Sequence, residues 1–336
     1  MPGTRRPGQT GHYRNTIFSD ASELTASPKP QTLFELVRQG APFASFPLPS
    51  IISPLALSPL MFSMLTLSRL PPSFSEVTDE IPNDPALAYL PTISPPGVKP
   101  ALYADSYQTI TYGELEQARM EVGSALMHLY RSGVLGSPES IERIDPRPTG
   151  PEQGWSVGVW SGNRPEWQMV DMATQAFGLV SVALYDTLGP NTTVYVSNHA
   201  QLPIIFCTLG HLAELLAILP ECPTVKAVVC IDPLVGPSKT LAHDWAKSKG
   251  VALWDMESFR ALGREHLIEA MPPRPENVAT LCCPSARSGN LLFCTPPLII
   301  RFCYPPTDTS GTTGNPKGAI LTHRSMTTAV VCNPTT

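Results

Sequence analysis

Trp155–Tyr185 reads WSVGVWSGNRPEWQMVDMATQAFGLVSVALY, and this stretch decides the fold class. WSVGVW is a short run of β-branched and aromatic residues, the form of a buried strand. Asn163 then offers a helix N-cap, and Pro165 stands close to the first helical position, where its missing N–H is harmless. Trp167, Val170 and Thr174 recur at helical spacing until Gly178 provides a stop. VSVALY is a second strand. A strand, a helix and a strand joined by short connections form a βαβ unit, which places the two strands parallel.

The same grammar extends outward. PIIFC (203–207), KAVVCI (226–231) and VALWD (251–255) read as further strands, with helical stretches after Gly210, Ser238 and Met256. Upstream, TYGELEQARMEVGSALMHLYRSG opens on Thr111 with Glu114 three residues later, a capping box that satisfies the orphan amides of a helix start. Leu115, Ala118, Val122, Leu126 and Leu129 follow at helical spacing, and Gly133 offers a left-handed end. The expected class is α/β, a mostly parallel sheet with flanking helices.

At 336 residues the chain is long enough for about two ordinary domains. Charged residues are only 15%, and 38 prolines are about twice the usual share of roughly 5%. A formal charge of −5 announces no basic surface and excludes nucleic acid as a partner. Cys207, Cys222 and Cys230 stand singly among apolar neighbours, as buried small hydrophobes do. Cys282, Cys283, Cys294 and Cys303 cluster, but without C-x-x-C spacing or paired histidines, so no zinc site is expected. The N-terminus, MPGTRRPGQTGHYRN, lacks a secretory apolar core, which points to a reducing, intracellular compartment.

Two segments break the pattern. Residues 43–76 are almost entirely Ser, Pro, Leu, Phe, Ile and Met, and residues 283–308 have the same flavour with no clear period. Ser50 to Ser68 is about the length a bilayer requires, roughly 20 residues, yet Pro54 and Pro59 argue against a membrane helix. Pyrimidine-rich codons encode this composition, so translated intron sequence would read this way in both places.

TSGTTGNPKG, Thr309 to Gly318, carries the chemistry. Gly311, Gly314 and Gly318 let backbone amides approach oxygen atoms closely, and the hydroxyls of Thr309, Ser310, Thr312 and Thr313 add donors. Lys317 supplies a mobile positive charge. Such a loop can fold over the β- and γ-phosphates of a nucleotide. A Walker A loop is excluded, because Pro316 precedes the lysine and Gly318 follows it. The apolar residues after Lys317 read as a helix opening, with His323 on a partly exposed turn.

TSGTTGNPKG resembles the phosphate-binding motif of the AMP-forming acyl-adenylating enzymes. GQTGHYRN, TLFELVRQG, TYGELEQARMEVGSAL, RPENVATLC and the long run from Val157 to Ala200, with NRPEW and LYDTLGP inside it, are similar to the N-terminal portion of eukaryotic long-chain fatty acid–CoA ligases. The resemblance implies a partial N-terminal domain of the acyl-adenylate-forming (ANL) fold. Residues 1–30 would be a tail and 31–282 the partial AMP-binding domain, interrupted by an insertion at 43–76. Residues 283–308 would be a second insertion, and 309–336 the phosphate loop and the start of a helix, ending in a truncation.

The implied reaction joins ATP, a long-chain fatty acid and coenzyme A. The carboxylate attacks the α-phosphorus to give acyl-adenylate and pyrophosphate, and the thiolate then displaces AMP. Thr309, Ser310, Gly311, Thr312, Thr313, Gly314 and Lys317 would bind phosphate, with Thr312 or Thr313 contributing to a Mg²⁺ site. Peripheral contact with the surface of the endoplasmic reticulum or peroxisome is compatible with the resemblance. Arg164, Glu166, Trp167, Tyr185 and Asp186 are expected to fix helix and strand junctions rather than to react. His199, His211 and the pair His323 and Arg324 lack the partners an acid/base or metal site needs. Asp308 precedes the loop where the family has an aromatic residue, whereas joining Cys282 to Thr309 nearly restores the expected passage. The acyl tunnel, the later glutamate motif and the mobile C-terminal domain are missing, so an inactive chain is expected. Two alternatives stay open: a catalytically dead fragment that binds nucleotide or a partner, and a membrane-anchored scaffold.

Overall fold

The computed structural model describes residues 82–91, 93, 102–185, 192–282 and 319–331. The N-terminal tail, both odd segments, Asp186 and the whole of Thr309–Gly318 lie outside the described residues. A two-stranded antiparallel ribbon comes first, β1 (Pro85–Tyr89) on β2 (Gln108–Thr111). Reading the pattern from Ile110 onward does not anticipate this ribbon, because its strands are short and separated by Pro-containing sequence.

Helix α1 (Tyr112–Arg131) begins with the expected capping box. The Glu114 amide donates to Thr111 Oγ1 at 3.3 Å, and the Thr111 amide donates to Glu114 Oε2 at 2.8 Å. Gly133, at φ +75°, follows it in the left-handed region. The chain then forms β3 (Ser156–Trp160), α2 (Pro165–Ala176), β4 (Val180–Ala183), α3 (Thr192–His199) and β5 (Ile204–Cys207). It continues through α4 (Leu209–Ile218), β6 (Ala227–Cys230), α5 (Gly236–Ser248), β7 (Ala252–Asp255) and α6 (Met256–Glu265). The last elements are β8 (Val278–Cys282), β9 (Ala319–Thr322) and α7 (His323–Val331).

Strands β3 to β9 make one sheet in the order β7-β6-β5-β3-β4-β8-β9. All neighbours are parallel except β8 and β9, which run antiparallel. Alternate side chains of each strand feed two cores, as the twofold strand period requires. Val157, Val159, Ile204, Phe206 and Val229 face α1, α2 and α6, where Phe206 meets Phe259 edge to face at 5.3 Å. Ile205, Cys207, Val228 and Cys230 face α3, α4 and α5 on the other side. The thiols are buried hydrophobes, as expected. Burial drives the Cys207 pKa well above its usual value and pushes Cys230 up to about 12, so neither is a ready nucleophile.

Three readings require correction. Arg164, not Asn163, is the N-cap of α2, with no side-chain cap bond and Pro165 following at the helix start. The apolar run after Lys317 is the strand β9, not a helix opening. Short apolar runs fit either state, and pairing with β8 decides for the strand. Helix α7 starts at His323, after Thr322 Oγ1 accepts from the Ser325 amide at 3.2 Å. His323 itself is fully buried rather than partly exposed.

Candidate functional site

Parallel open sheets bind ligands beyond the carboxyl ends of their strands, at the point where successive connections leave in opposite directions. That point lies between β3 and β5. The connection from β3 runs to β4 on one side, and the connection from β5 runs to β6 on the other.

Side chains of the protein itself fill this crevice. Trp160, the last residue of β3, stacks on His211 of α4 with ring centroids 4.6 Å apart. His211 Nδ1 lies 2.8 Å from Thr208 Oγ1. Arg164 donates to Glu166 and to Asp232, each at 2.7 Å. The second oxygen of Asp232 accepts from the Leu209 amide, at the start of α4, also at 2.7 Å. Burial works against the charge on Arg164, but its bonds to Glu166 and Asp232 outweigh that and raise its pKa. Arg164 and Asp232 thus tie the β3–α2 turn to the end of β6 and the start of α4. This is the junction role expected of NRPEW, with a partner the motif does not contain. Asp232 directly follows KAVVCI, and its place at a strand end was the available signal. Trp167 packs against the core facing α1 and α6. Tyr185 follows β4.

His199 stacks on Tyr195 with centroids 5.5 Å apart. Burial lowers the His323 pKa to about 3, so its imidazole stays neutral across the physiological range and cannot serve as an acid. Among the described residues no three His, Cys, Asp or Glu side chains are grouped to hold a metal ion. Among them, too, no helix is long and apolar enough to cross a membrane.

A second carboxyl-edge position is the end of β8. Cys282, its last residue, lies opposite Ala319, the first residue of β9. Whatever joins them leaves from and returns to one point at the carboxyl edge of the sheet. Polar contacts brace the opposite end of the hairpin. The Val278 amide donates to buried Asp145 at 3.0 Å, and the His323 amide donates to the Asn277 carbonyl at 3.0 Å. Asn277 Oδ1 accepts from Thr149 and Nδ2 donates to the Arg147 carbonyl, each at 2.6 Å.

Comparison with known proteins agrees with this architecture. Residues 148–285 match the AMP-binding enzyme family. Over 220 residues the chain is 34% identical to long chain acyl-CoA synthetase 6, peroxisomal, of Arabidopsis thaliana, covering 66% of this chain and 24% of that protein. It is 29% identical to long-chain-fatty-acid–CoA ligase 1 of Cavia porcellus over 223 residues, covering 66% of this chain and 25% of the relative. The chain therefore spans about a quarter of the length of these relatives. Among solved structures, the A-PCP didomain of a carboxylic acid reductase from Segniliparus rugosus, in complex with AMP, superposes with a TM-score of 0.51 at 17% identity, over 77% of this chain and 31% of that one. That likeness shows the fold, an adenylation-domain α/β sheet covered in part. Sequence match and fold agree, and residues 148–285 carry the signature of the AMP-binding enzymes.

Proposed function

We propose that this chain is the nucleotide-handling portion of a long-chain fatty acid–CoA ligase, which joins fatty acid and coenzyme A at the expense of ATP, releasing AMP and pyrophosphate. The observation that supports it best is the pairing of Cys282 with Ala319. Gly318, the last residue of TSGTTGNPKG, immediately precedes β9 in sequence, and β9 begins at the carboxyl edge of the sheet, where open α/β folds receive ligands. Its ten residues could by themselves connect two strand ends that lie side by side. Residues 283–308 are then an insertion between strand and loop, and 43–76 a second one of the same composition.

In this reading Thr309, Ser310, Gly311, Thr312, Thr313 and Gly314 offer amides and hydroxyls to the phosphates. Lys317 screens their charge while the carboxylate approaches. Hydroxyl oxygens of Thr312 or Thr313 suit Mg²⁺, a hard cation that usually takes few protein ligands beside substrate phosphate. The metal would neutralise charge on the departing pyrophosphate. Relatives named as peroxisomal favour the peroxisome, and peripheral contact with the peroxisome or endoplasmic reticulum membrane is part of the same proposal. For these 336 residues alone we expect nucleotide binding without turnover.

Equilibrium dialysis with ATP and Mg²⁺ tests the loop. Deleting 283–308 is expected to strengthen binding, and Lys317→Ala in that background to weaken it at least tenfold. Indistinguishable binding by the deletion variant with and without Lys317 would remove the loop from the site. Fatty-acid-dependent ATP–pyrophosphate exchange separates the ligase from a dead nucleotide- or partner-binding fragment. A protein extended to the length of its relatives should exchange, and the 336-residue chain should not. Transcripts that retain both odd segments at full abundance would refute the insertion reading.

A further inference from the structure

Helix α2 carries a carboxyl group into the sheet where β4 meets β8. Asp171 is 6% exposed and Gln175, one turn later, 7%. Gln175 Nε2 donates to Asp171 Oδ2 at 2.7 Å, and the Ser181 side chain also bonds the carboxyl group. Ser181 belongs to β4, and its carbonyl accepts from Thr280 Oγ1 of β8 at 2.9 Å. A continuous polar path thus runs from α2 through β4 to β8. The β4–β8 ladder beside it holds two register pairs, Ser181 with Thr280 and Val182 with Leu281, against four in each of the neighbouring β3 ladders.

One atom in this cluster has no donor: Gln175 Oε1 is buried without a hydrogen-bond partner. A carboxylate cannot supply one, because it only accepts. A neutral carboxylic acid can, since a carboxylic acid and a primary amide form two reciprocal hydrogen bonds, N–H to C=O and O–H to C=O. We infer that Asp171 and Gln175 form a buried proton-binding pair, and that loss of the proton loosens the attachment of β8 to β4.

Among the described residues, no countercharge beside Asp171 favours its ionisation. On α1, which packs against α2, Glu116 pairs with Arg119, and Glu121 is held by Arg260 and Arg264. Tyr112 and Glu114 lie at one end of that helix and His128, Tyr130 and Arg131 at the other. On α2 itself Glu166 is bound to Arg164. Strands β3 and β4 carry no ionisable side chain, and β8 carries Cys282, whose thiol burial pushes up. Burial raises the Asp171 pKa to about 6 from the usual 3.8, against the hydrogen bonds from Ser181 and Gln175 that favour the charge. Two units of separation between folded and unfolded chains make the folding equilibrium roughly 100-fold less favourable on going from below pH 4 to above pH 6.

The test is carboxyl-carbon NMR of the full chain labelled at aspartate, with hydrogen exchange of the Thr280–Cys282 amides. One aspartate is expected to titrate near pH 6 and to be missing from Asp171→Asn. Ser181→Ala, which removes a bond to the charged form, should move that midpoint higher. Protection of the β8 amides, corrected for intrinsic exchange, should fall about tenfold or more between pH 5 and 7.5 in the unaltered chain but not in Asp171→Asn. Aspartates that all titrate below pH 5, a midpoint near 6 that survives Asp171→Asn, or equal pH dependence of protection in the two proteins would each overturn the inference.

Discussion

Strand β3 stands between two unlike halves of one sheet. Toward β5, β6 and β7 each ladder holds four register pairs, and the face under α1 and α6 is filled by Phe206, Phe259 and partly buried Trp254. Toward β4 and β8 the second ladder shortens to two pairs, and the residues under α2 include Asp171, Gln175, Ser181 and Thr280. The first half is held by area removed from water, which acts whatever the pH. The second also buries Val180, Val182, Val278 and Leu281, but adds hydrogen bonds among buried polar groups, which stabilise only when every donor and acceptor is matched. The half that carries the connection to the proposed phosphate loop is therefore the one whose stability responds to conditions.

Removing an aromatic ring from the apolar half should have the largest effect. Phe259 is fully buried and meets both Phe206 and Trp254 edge to face. Phe259→Ala is expected to cost about 3–5 kcal/mol in urea unfolding, equally at pH 5 and pH 7.5. A loss under 1 kcal/mol would mean that α6 is not part of the core that folds with the sheet.

On the polar half, the expected change has the opposite sign. A carboxyl group whose folded pKa is raised contributes stability that is fully present below its unfolded value of 3.8 and is lost as pH climbs through about 6. At pH 7.5 the charge is a burden of about 2–3 kcal/mol relative to acid conditions. Asp171→Asn keeps the shape and removes the charge, so it should unfold at higher urea than the unaltered chain at pH 7.5. The advantage should shrink toward pH 4.

Arg164 links the two halves, because it sits before α2 yet bonds Asp232 at the end of β6. Arg164→Met keeps the stem and leaves Asp232 with the Leu209 amide alone. The pair is about a quarter exposed, which screens it, so roughly 1–2 kcal/mol is expected rather than the full figure for a buried pair. Raising salt should narrow the difference between the two proteins. An unchanged difference at 1 M salt would show that packing of the stem, not charge, matters there.

How much of this was legible depended on the range over which each cause acts. The α1 capping box, the Gly133 stop and the parallel strands at 204–207, 227–230 and 252–255 rest on local preference and periodicity, and they stand close to where the pattern puts them. Strand β9 was hidden, because Ala319–Thr322 is too short to declare its period and becomes a strand only through β8. Burial of His323 was hidden for the same reason. Asp232 was visible as an acid after a strand, but its bond to Arg164 spans 68 residues and no local rule supplies it. Asp171 is not marked by any motif, because its burial comes only from the sheet that packs against α2. The proposed phosphate loop is the reverse case: its motif is legible, and its residues lie outside those described.

The smallest effect isolates a feature that belongs to neither half. Thr111 caps α1 from outside the seven-stranded sheet: as the last residue of β2 it lies opposite Pro85, and its side chain bonds Glu114 in the first turn. Thr111→Ala removes one acceptor from the helix start and leaves the Glu114 carboxylate with the Thr111 amide, so about 1 kcal/mol should be lost. Helix α1 packs on both α2 and α6, so fraying at its first turn could in principle reach either half. The first turn is far from the C-terminal half of the helix, where Val122, Leu126 and Leu129 enter the core. The loss should therefore be additive with both Phe259→Ala and Asp171→Asn within about 0.5 kcal/mol, as expected for sites that share no partner. A double mutant that departs from additivity with one and not the other would reveal which half folds together with α1.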